Sequence, residues 1–524
     1  MENLLLNLTI PVLYTPIQIL AAAGENVPVS FSRLNYLTLG LYLVFMLCIG
    51  VYFSRRERST DDFFLGGRRV YWWAAGISIF GTQLSAITFM SIPAKAYDTN
   101  WAYILIHVSI VMVAPIVAFF YLPFFRRLNL TTAYQYLEKR FNVVVRMFAA
   151  IAFSLMQLGR MGIVLFLPAI ALSTVTGLNI YICILIMGVF CTIYTTLGGI
   201  EAVIWTDVFQ VVILLGGAIA AVVVIALRVD GGLSEIVDIG RQAEKFNIIN
   251  WTWDWRTTAV WVVLIGNLFS NLVPYSADQT VIQRYLTTAT EKQARRAIWT
   301  NAAMTLPAGL IFFFLGTALY VFYRSFPQNL DPALEIDAIL PWFIVHELPS
   351  GLAGLVVAAI FAATMSSLDS SMNSIATVFV TDFYRRLMPD SADRFRLLLA
   401  RIVTVVLGAF ATGCALLLAR YRIESLWDLF LEILGLLGGT LAGVFVLGIF
   451  TRRANGLGAM IGIVCSTLAL FYVKQYTQIH FFLYGAVGII ICLCVGYLGS
   501  FLSRSSRPCP SDLTVCGLFK RAED

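Results

Sequence analysis

The segment AAIFAATMSSLDSSMNSIATVF places Ser366, Ser367, Asp369, Ser370 and Asn373 inside an otherwise apolar run. Ser366, Asp369, Ser370 and Asn373 recur at i, i+3, i+4 and i+7, so on a helix they form one polar stripe. Hydroxyls, carbonyls and a carboxylate are the donors a hard cation takes. Ser and Thr also serve as hydrogen-bonding glue between apolar helices, but that use does not call for a carboxylate. Asp207 lies six residues after Glu201 in YTTLGGIEAVIWTDVFQ, about 9 Å along a helix at 1.5 Å per residue. It reads as a second cation ligand or as a paired structural acid. Arg160, in MQLGRMGIVLFLPAIAL, is a guanidinium in an apolar run and demands an anion. A bidentate solute carboxylate or a buried acid such as Asp278 would serve. His107 reads either as a satisfied structural residue or as a hydrogen-bond partner for a solute.

The elements that carry these residues follow from composition. The 524-residue chain is 59% hydrophobic and only 13% charged, with a mean hydropathy of +0.82. Soluble domains run near 45–50% apolar and about 25% charged. A soluble enzyme, a disordered chain and a nucleic-acid-binding protein are excluded, and long unalternating apolar runs argue against an outer-membrane barrel. Thirteen spans are expected near 34–53, 72–95, 102–124, 147–175, 180–197, 202–227, 258–283, 298–323, 350–378, 398–419, 426–450, 457–473 and 480–503. Residues 1–33 form an N-terminal appendage that reads as a signal-like core or an interfacial helix, although no basic residue precedes it. Residues 34–503 form the transmembrane domain, and residues 504–524 a cytoplasmic tail. With the N-terminus outside, 25 of the 36 Lys and Arg fall in inside segments and 9 in outside ones, Lys95 and Arg160 lying in or at the edge of spans. That bias supports the span count and a cytoplasmic C-terminus. The net charge of +6 therefore reflects topology. The nine Cys are scattered and imply no disulfide framework; Cys509 and Cys516, without His neighbours, make a poor zinc site. Asp428 and Glu432 sit near a span end and read as solvated or capping. No nucleophile–His–acid set, Walker loop or long soluble segment is present, so the chain does not read as an enzyme.

Two spans are interrupted. ISIFGTQLSAITFMSIP puts Gly81, Thr82, Gln83, Ser85 and Thr88 at mid-depth, and GNLFSNLVPYSADQTVIQRY puts Asn267, Ser270, Asn271, Pro274, Ser276, Asp278 and Gln279 there. Unwound backbone at membrane depth must be buried in protein or line a watery cavity. The first broken span opens one set of five and the second opens the next five, and paired interruptions of this kind point to a midplane site in an inverted-repeat transporter.

At these residues the chain resembles the sodium/solute symporter family, the group that holds the sodium–glucose cotransporters. The resemblance runs from about residue 34 to about residue 503 and rests on YTTLGGIEAVIWTD, AAIFAATMSSLDSSMNS, ISIFGTQLSAITFMSIPAKAY and QRYL. It implies an all-α, LeuT-like five-plus-five inverted repeat with flanking helices. Within the family, IPAKA, the mid-span Arg160 and GGIEAVIWTD are similar to the bacterial sialic-acid symporters. That resemblance implies a first sodium site from the carbonyls of Gly81, Leu84 and Ala363 and the hydroxyls of Ser366 and Ser367. It implies a second at Asp207, Ser366, Asp369 and Ser370. It places a solute carboxylate at Ser85, Thr88 and Arg160, with Gln83, Tyr103 and His107 around it. This chain departs from the sialic-acid pattern at Gln83, Ala86, His107 and Asp369, where that pattern has Thr, Ser, Gln and Ser.

The expected function is sodium-coupled import of a small organic solute by alternating access, through one or two sodium ions. The solute is an acid sugar such as sialic acid, or a sugar. A neutral-sugar or monocarboxylate symporter, or a sensor built on a transporter fold, are the alternatives. The expected setting is the plasma (inner) membrane, as a monomer in the lipid bilayer without nucleic acid.

Overall fold

The computed structural model of the chain describes residues 31–332, 334–420, 426–502 and 513–515. The readings made on residues 1–30, on most of the tail with Cys509 and Cys516, and on the side chains of Asp428 and Glu432 lie outside the described residues. The described residues are helical, with no strand among them. The main helices are α1 (Arg33–Ser54), α2 (Trp72–Gln83), α3 (Ala86–Asp98), α4 (Leu105–Ile116), α5 (Val143–Thr176), α6 (Ile180–Arg228) and α7 (Val260–Ser276). They continue with α8 (Gln279–Leu286), α9 (Glu291–Ser325), α10 (Leu352–Val378), α11 (Asp393–Leu418), α12 (Leu426–Phe450), α13 (Gly456–Tyr476) and α14 (Tyr484–Gly499).

Among the described residues nine helices are long and apolar enough to cross a membrane, or eleven if each bent pair is one span. Two of the expected spans, 180–197 and 202–227, are the two arms of α6, which meet at a kink. Gly199 turns the chain between them with φ 54° and ψ −154°. This is backbone that a side chain disfavours, and a Cβ there would lie 2.9 Å from the Phe63 carbonyl oxygen. Both interrupted spans are broken where the sequence places polar residues. α2 and the helix that follows it bend by 58°, and α7 and α8 by 55°.

Each restart is capped by its own sequence. Ser85, extended at φ −84° and ψ 166°, accepts from the Thr88 N–H. Asp278 accepts from the Thr280 N–H at 2.8 Å and from its hydroxyl at 2.6 Å. Short polar side chains at an N-cap satisfy donors that a helix start leaves free, so the breaks are stable features of the chain. The centre of the molecule is α10, whose residues from Ala353 to Val378 are all buried except Leu355. It packs against α1, α2, α3, α5, α6, α8 and α11. Its N-terminus is held by α1, where Asn35 Oδ1 accepts from the N–H groups of Gly351 (2.6 Å) and Gly354 (3.1 Å). Close crossings depend on missing side chains: a Cβ on Gly50 of α1 would sit 2.6 Å from Tyr194 Cβ on α6.

Candidate solute and cation site

The last turn of α2 has carbonyls with no helical partner, because the helix stops at Gln83. The last helical bond falls on Phe80, and the two carbonyls after it find partners on other helices. Phe80 O accepts from the Leu84 N–H at 3.0 Å. Gly81 O lies 3.3 Å from Ser366 Oγ on α10. Thr82 O accepts from Arg160 Nη2 on α5 at 2.9 Å. Ser366 Oγ also lies 3.1 Å from Ala363 O. Gly81 O, Ala363 O and Ser366 Oγ thus converge as neutral, hard oxygens in a buried place, the donor type that suits a monovalent cation. Ser367, beside them, lies 3.5 Å from Arg160 Nη2 through its hydroxyl. Leu84 is in the unwound link itself, at φ −87° and ψ 88°.

The stripe on α10 fans out to several neighbours. Ser370 Oγ is 3.1 Å from Thr82 Oγ1 on α2 and 3.1 Å from Asp369 Oδ1. Asp369 Oδ2 accepts from the Tyr194 hydroxyl on α6 at 2.5 Å. Asn373 Oδ1 accepts from Gln283 Nε2 on α8 at 2.8 Å. Asp207 is fully buried, and its Oδ2 accepts from Ser78 Oγ at 2.5 Å and from Arg284 Nη2 at 2.9 Å.

Arg284 corrects the charge map read from the sequence, which counted it among inside-loop cations. It is 1% exposed. It donates to Ser78 Oγ (2.6 Å), Thr280 O (2.6 Å) and Ser370 Oγ (2.5 Å) as well as to Asp207. The expected span ended one residue too early, at Gln283, so a guanidinium inside the site was assigned to the surface. Its presence in QRYL, directly after a break, was the available signal. Gln157 was also missed. One turn before Arg160, it donates to Asp278 Oδ2 at 2.8 Å and accepts from Ser371 Oγ at 2.9 Å. α5 therefore ties the first break through Arg160 and the second through Gln157.

A cavity of about 680 Å³ opens beside the first break. The six residues expected around a solute, Gln83, Ser85, Thr88, Tyr103, His107 and Arg160, all line it. Ser85 and Thr88 stand together, their hydroxyls 3.3 Å apart. The volume lies within the range of small-molecule sites. Gln83 and Leu84, at the end of α2, line this cavity, and Gly81 of the same turn lies against Ser366.

Residues 63–465 match the profile of the sodium:solute symporter family. The chain belongs to this family. As a sodium:solute symporter it is a multi-pass membrane transporter of small molecules that uses sodium, and not an enzyme. It is 42% identical to the sodium/sialic acid symporter NanT of Aliivibrio fischeri over 470 residues, 90% of this chain and 93% of that protein. It is 43% identical to the sodium/sialic acid symporter SiaT of Proteus mirabilis, over 89% of this chain and 94% of that protein. A solved structure, described as the substrate-bound outward-open state of a Na+-coupled sialic acid symporter with a novel Na+ site, has a TM-score of 0.87 and 42% identity. It covers 92% of this chain and 100% of that one. The LeuT-like architecture expected of this symporter is the one found.

Proposed function

We propose that this symporter imports an acid sugar of the sialic-acid class together with sodium. The observation that carries the reading is Arg160, held against the Thr82 carbonyl at the end of a broken helix, in a cavity also lined by Ser85 and Thr88. A guanidinium beside two hydroxyls suits a carboxylate, and the remaining volume suits a polyhydroxylated body.

One sodium ion takes Gly81, Leu84, Ala363, Ser366 and Ser367, pinning α10 against the first break. A second takes Asp207, Ser366, Asp369 and Ser370, with Arg284 beside it. Cation binding orders the end of α2, and the ordered end presents Arg160, Ser85 and Thr88 to the solute. The loaded site then opens to the other side as the elements around it rock. The protein acts as a monomer in the inner membrane, with residues 34–503 spanning the bilayer and the C-terminus cytoplasmic. Outward-facing Leu37, Leu41 and Val44 on α1 and Val212 and Val223 on α6 are exposed, which suits contact with lipid chains.

The test is uptake of labelled N-acetylneuraminate into vesicles with and without a sodium gradient. The expected result is sodium-dependent uptake that Arg160→Ala abolishes and Ser366→Ala makes require more sodium. Uptake of a neutral sugar that is indifferent to Arg160→Ala would overturn the acid-sugar reading.

A further inference from the structure

Three buried polar atoms of residues lining the cavity have no hydrogen-bond partner among the described residues: Gln83 Nε2, Ser91 Oγ and Asn301 Oδ1. A buried polar atom left unpaired is costly, so this gathering on one cavity points to a ligand. Gln83 stands at the first break, near Arg160. Asn301 and His107 stand elsewhere, on α9 and α4.

Asn301 is 1% exposed. Its Nδ2 donates to the Tyr275 hydroxyl at 2.7 Å, which fixes the amide and leaves its other polar atom for the cavity. Tyr275 belongs to the last turn of α7, just before the second break. His107 is 8% exposed. Its ring lies against the gap left by Gly309 of α9, where a Cβ would come within 2.8 Å of Cδ2. Phe313, one turn on, meets the ring edge-on with centroids 6.1 Å apart. α4 and α9 pack against each other, so the two side chains share one wall. Arg160 belongs to α5, which packs instead on α10 and α12.

We infer that Asn301, set by Tyr275, and His107, seated on Gly309, form a second recognition pole for the solute. They read the hydroxyl- or amide-bearing end of the molecule whose carboxylate lies at Arg160. The inference rests on the acid-sugar reading and sharpens it. A carboxylate alone fills only the first pole, so a small monocarboxylate leaves the second pole unpaired and binds weakly. A polyhydroxylated or acetamido sugar acid satisfies both. A site built to pair a polar group rejects the analogue that lacks it far more strongly than an apolar wall does.

The experiment measures binding to the purified full-length protein in sodium. The probes are N-acetylneuraminate, the analogue with hydroxyl in place of the acetamido group, and analogues lacking single hydroxyls. In the unmodified protein at least one analogue should bind about tenfold more weakly than the parent. Asn301→Ala should weaken the parent about tenfold and erase that discrimination. Gly309→Ala, which displaces the His107 ring without touching Asn301, should erase discrimination for a different group. Arg160→Ala should weaken parent and analogues alike and keep their ratios. Should Asn301→Ala prove unstable on heating without solute, Asn301→Thr and Gly309→Ala carry the reading. A folded Asn301→Ala or Asn301→Thr protein with every ratio preserved overturns the second pole alone. An unmodified protein that binds none of these probes overturns the acid-sugar reading, and the second pole with it.

Discussion

At the scale of single residues, Arg284 and Asp207 have the largest consequence for stability. Both are at most 1% exposed in their side chains and 2.9 Å apart. A buried ion pair adds little net stability over an apolar replacement, but removing one partner strands the other charge, at about 3–5 kcal/mol. Arg284→Gln should therefore lower the melting temperature of the purified protein sharply. Arg284→Gln with Asp207→Asn should recover much of the loss, because the stranded carboxylate is gone. A double variant no more stable than Arg284→Gln would show that the other contacts of Arg284, to Ser78, Ser370 and Thr280, outweigh the pair. The difference in legibility between these residues has a physical cause. Arg160, Asp207 and Asp369 stood out because each interrupts a long apolar run. Arg284 follows a short polar stretch, QTVIQRY, where hydropathy does not distinguish a buried turn from a loop. Gln157 and Asn301 are uncharged, so nothing in their type or spacing singled them out.

At the scale of elements, the connection between α1 and α2 shows how charge is used at helix ends. Glu57 lies beyond the end of α1 and is 6% exposed. Neither of its carboxylate oxygens has a hydrogen-bond partner among the described residues. Burial, and then the neighbouring Glu201 and Asp62, push its carboxyl up to about 8, with Arg69 and Arg401 pulling the other way. Glu201 and Asp62 are themselves bridged by Arg69, at 3.1 Å and 3.3 Å. The folded chain thus keeps a proton that the unfolded chain releases in the ordinary carboxylate range. Stability falls as pH rises from that range to about 8 and is level above it. Glu57→Gln should flatten this part of the stability curve and raise the melting temperature near pH 8. A melting profile in which Glu57→Gln keeps the slope of the unmodified protein would count against it. The breaks in α2–α3 and α7–α8 were legible because Gly, Ser, Asn and Pro gathered at mid-span. The tightness of the turn at Gly199 was not, since LGGI reads equally well as a loop or as a sharp kink between two helices.

For the whole molecule, the fixed charges bear on how much work the membrane potential does. Around Ser370 stand two carboxylates, Asp207 and Asp369, and one guanidinium, Arg284. Asp369 accepts from Tyr194 on one oxygen and lies against Ser370 on the other. On the proposed two-ion reading, this cluster takes one sodium ion and the neutral oxygens at Gly81, Ala363 and Ser366 take the other. Two sodium ions with one carboxylate solute carry one net positive charge inward, worth about 2.3 kcal/mol per 100 mV. One sodium ion with the same solute would carry none. Because Arg284 and both acids belong to helices that pack around α10 or to α10 itself, they return with the empty protein and do not alter this balance. Uptake of N-acetylneuraminate into vesicles should then accelerate when an inside-negative potential is imposed at constant sodium gradient. Asp369→Ser should reduce that acceleration while leaving uptake dependent on sodium, since it withdraws a carboxylate from the proposed second sodium site. Uptake indifferent to the imposed potential would assign the cluster to Arg284 alone and leave a single sodium ion, at the end of α2, to drive the solute.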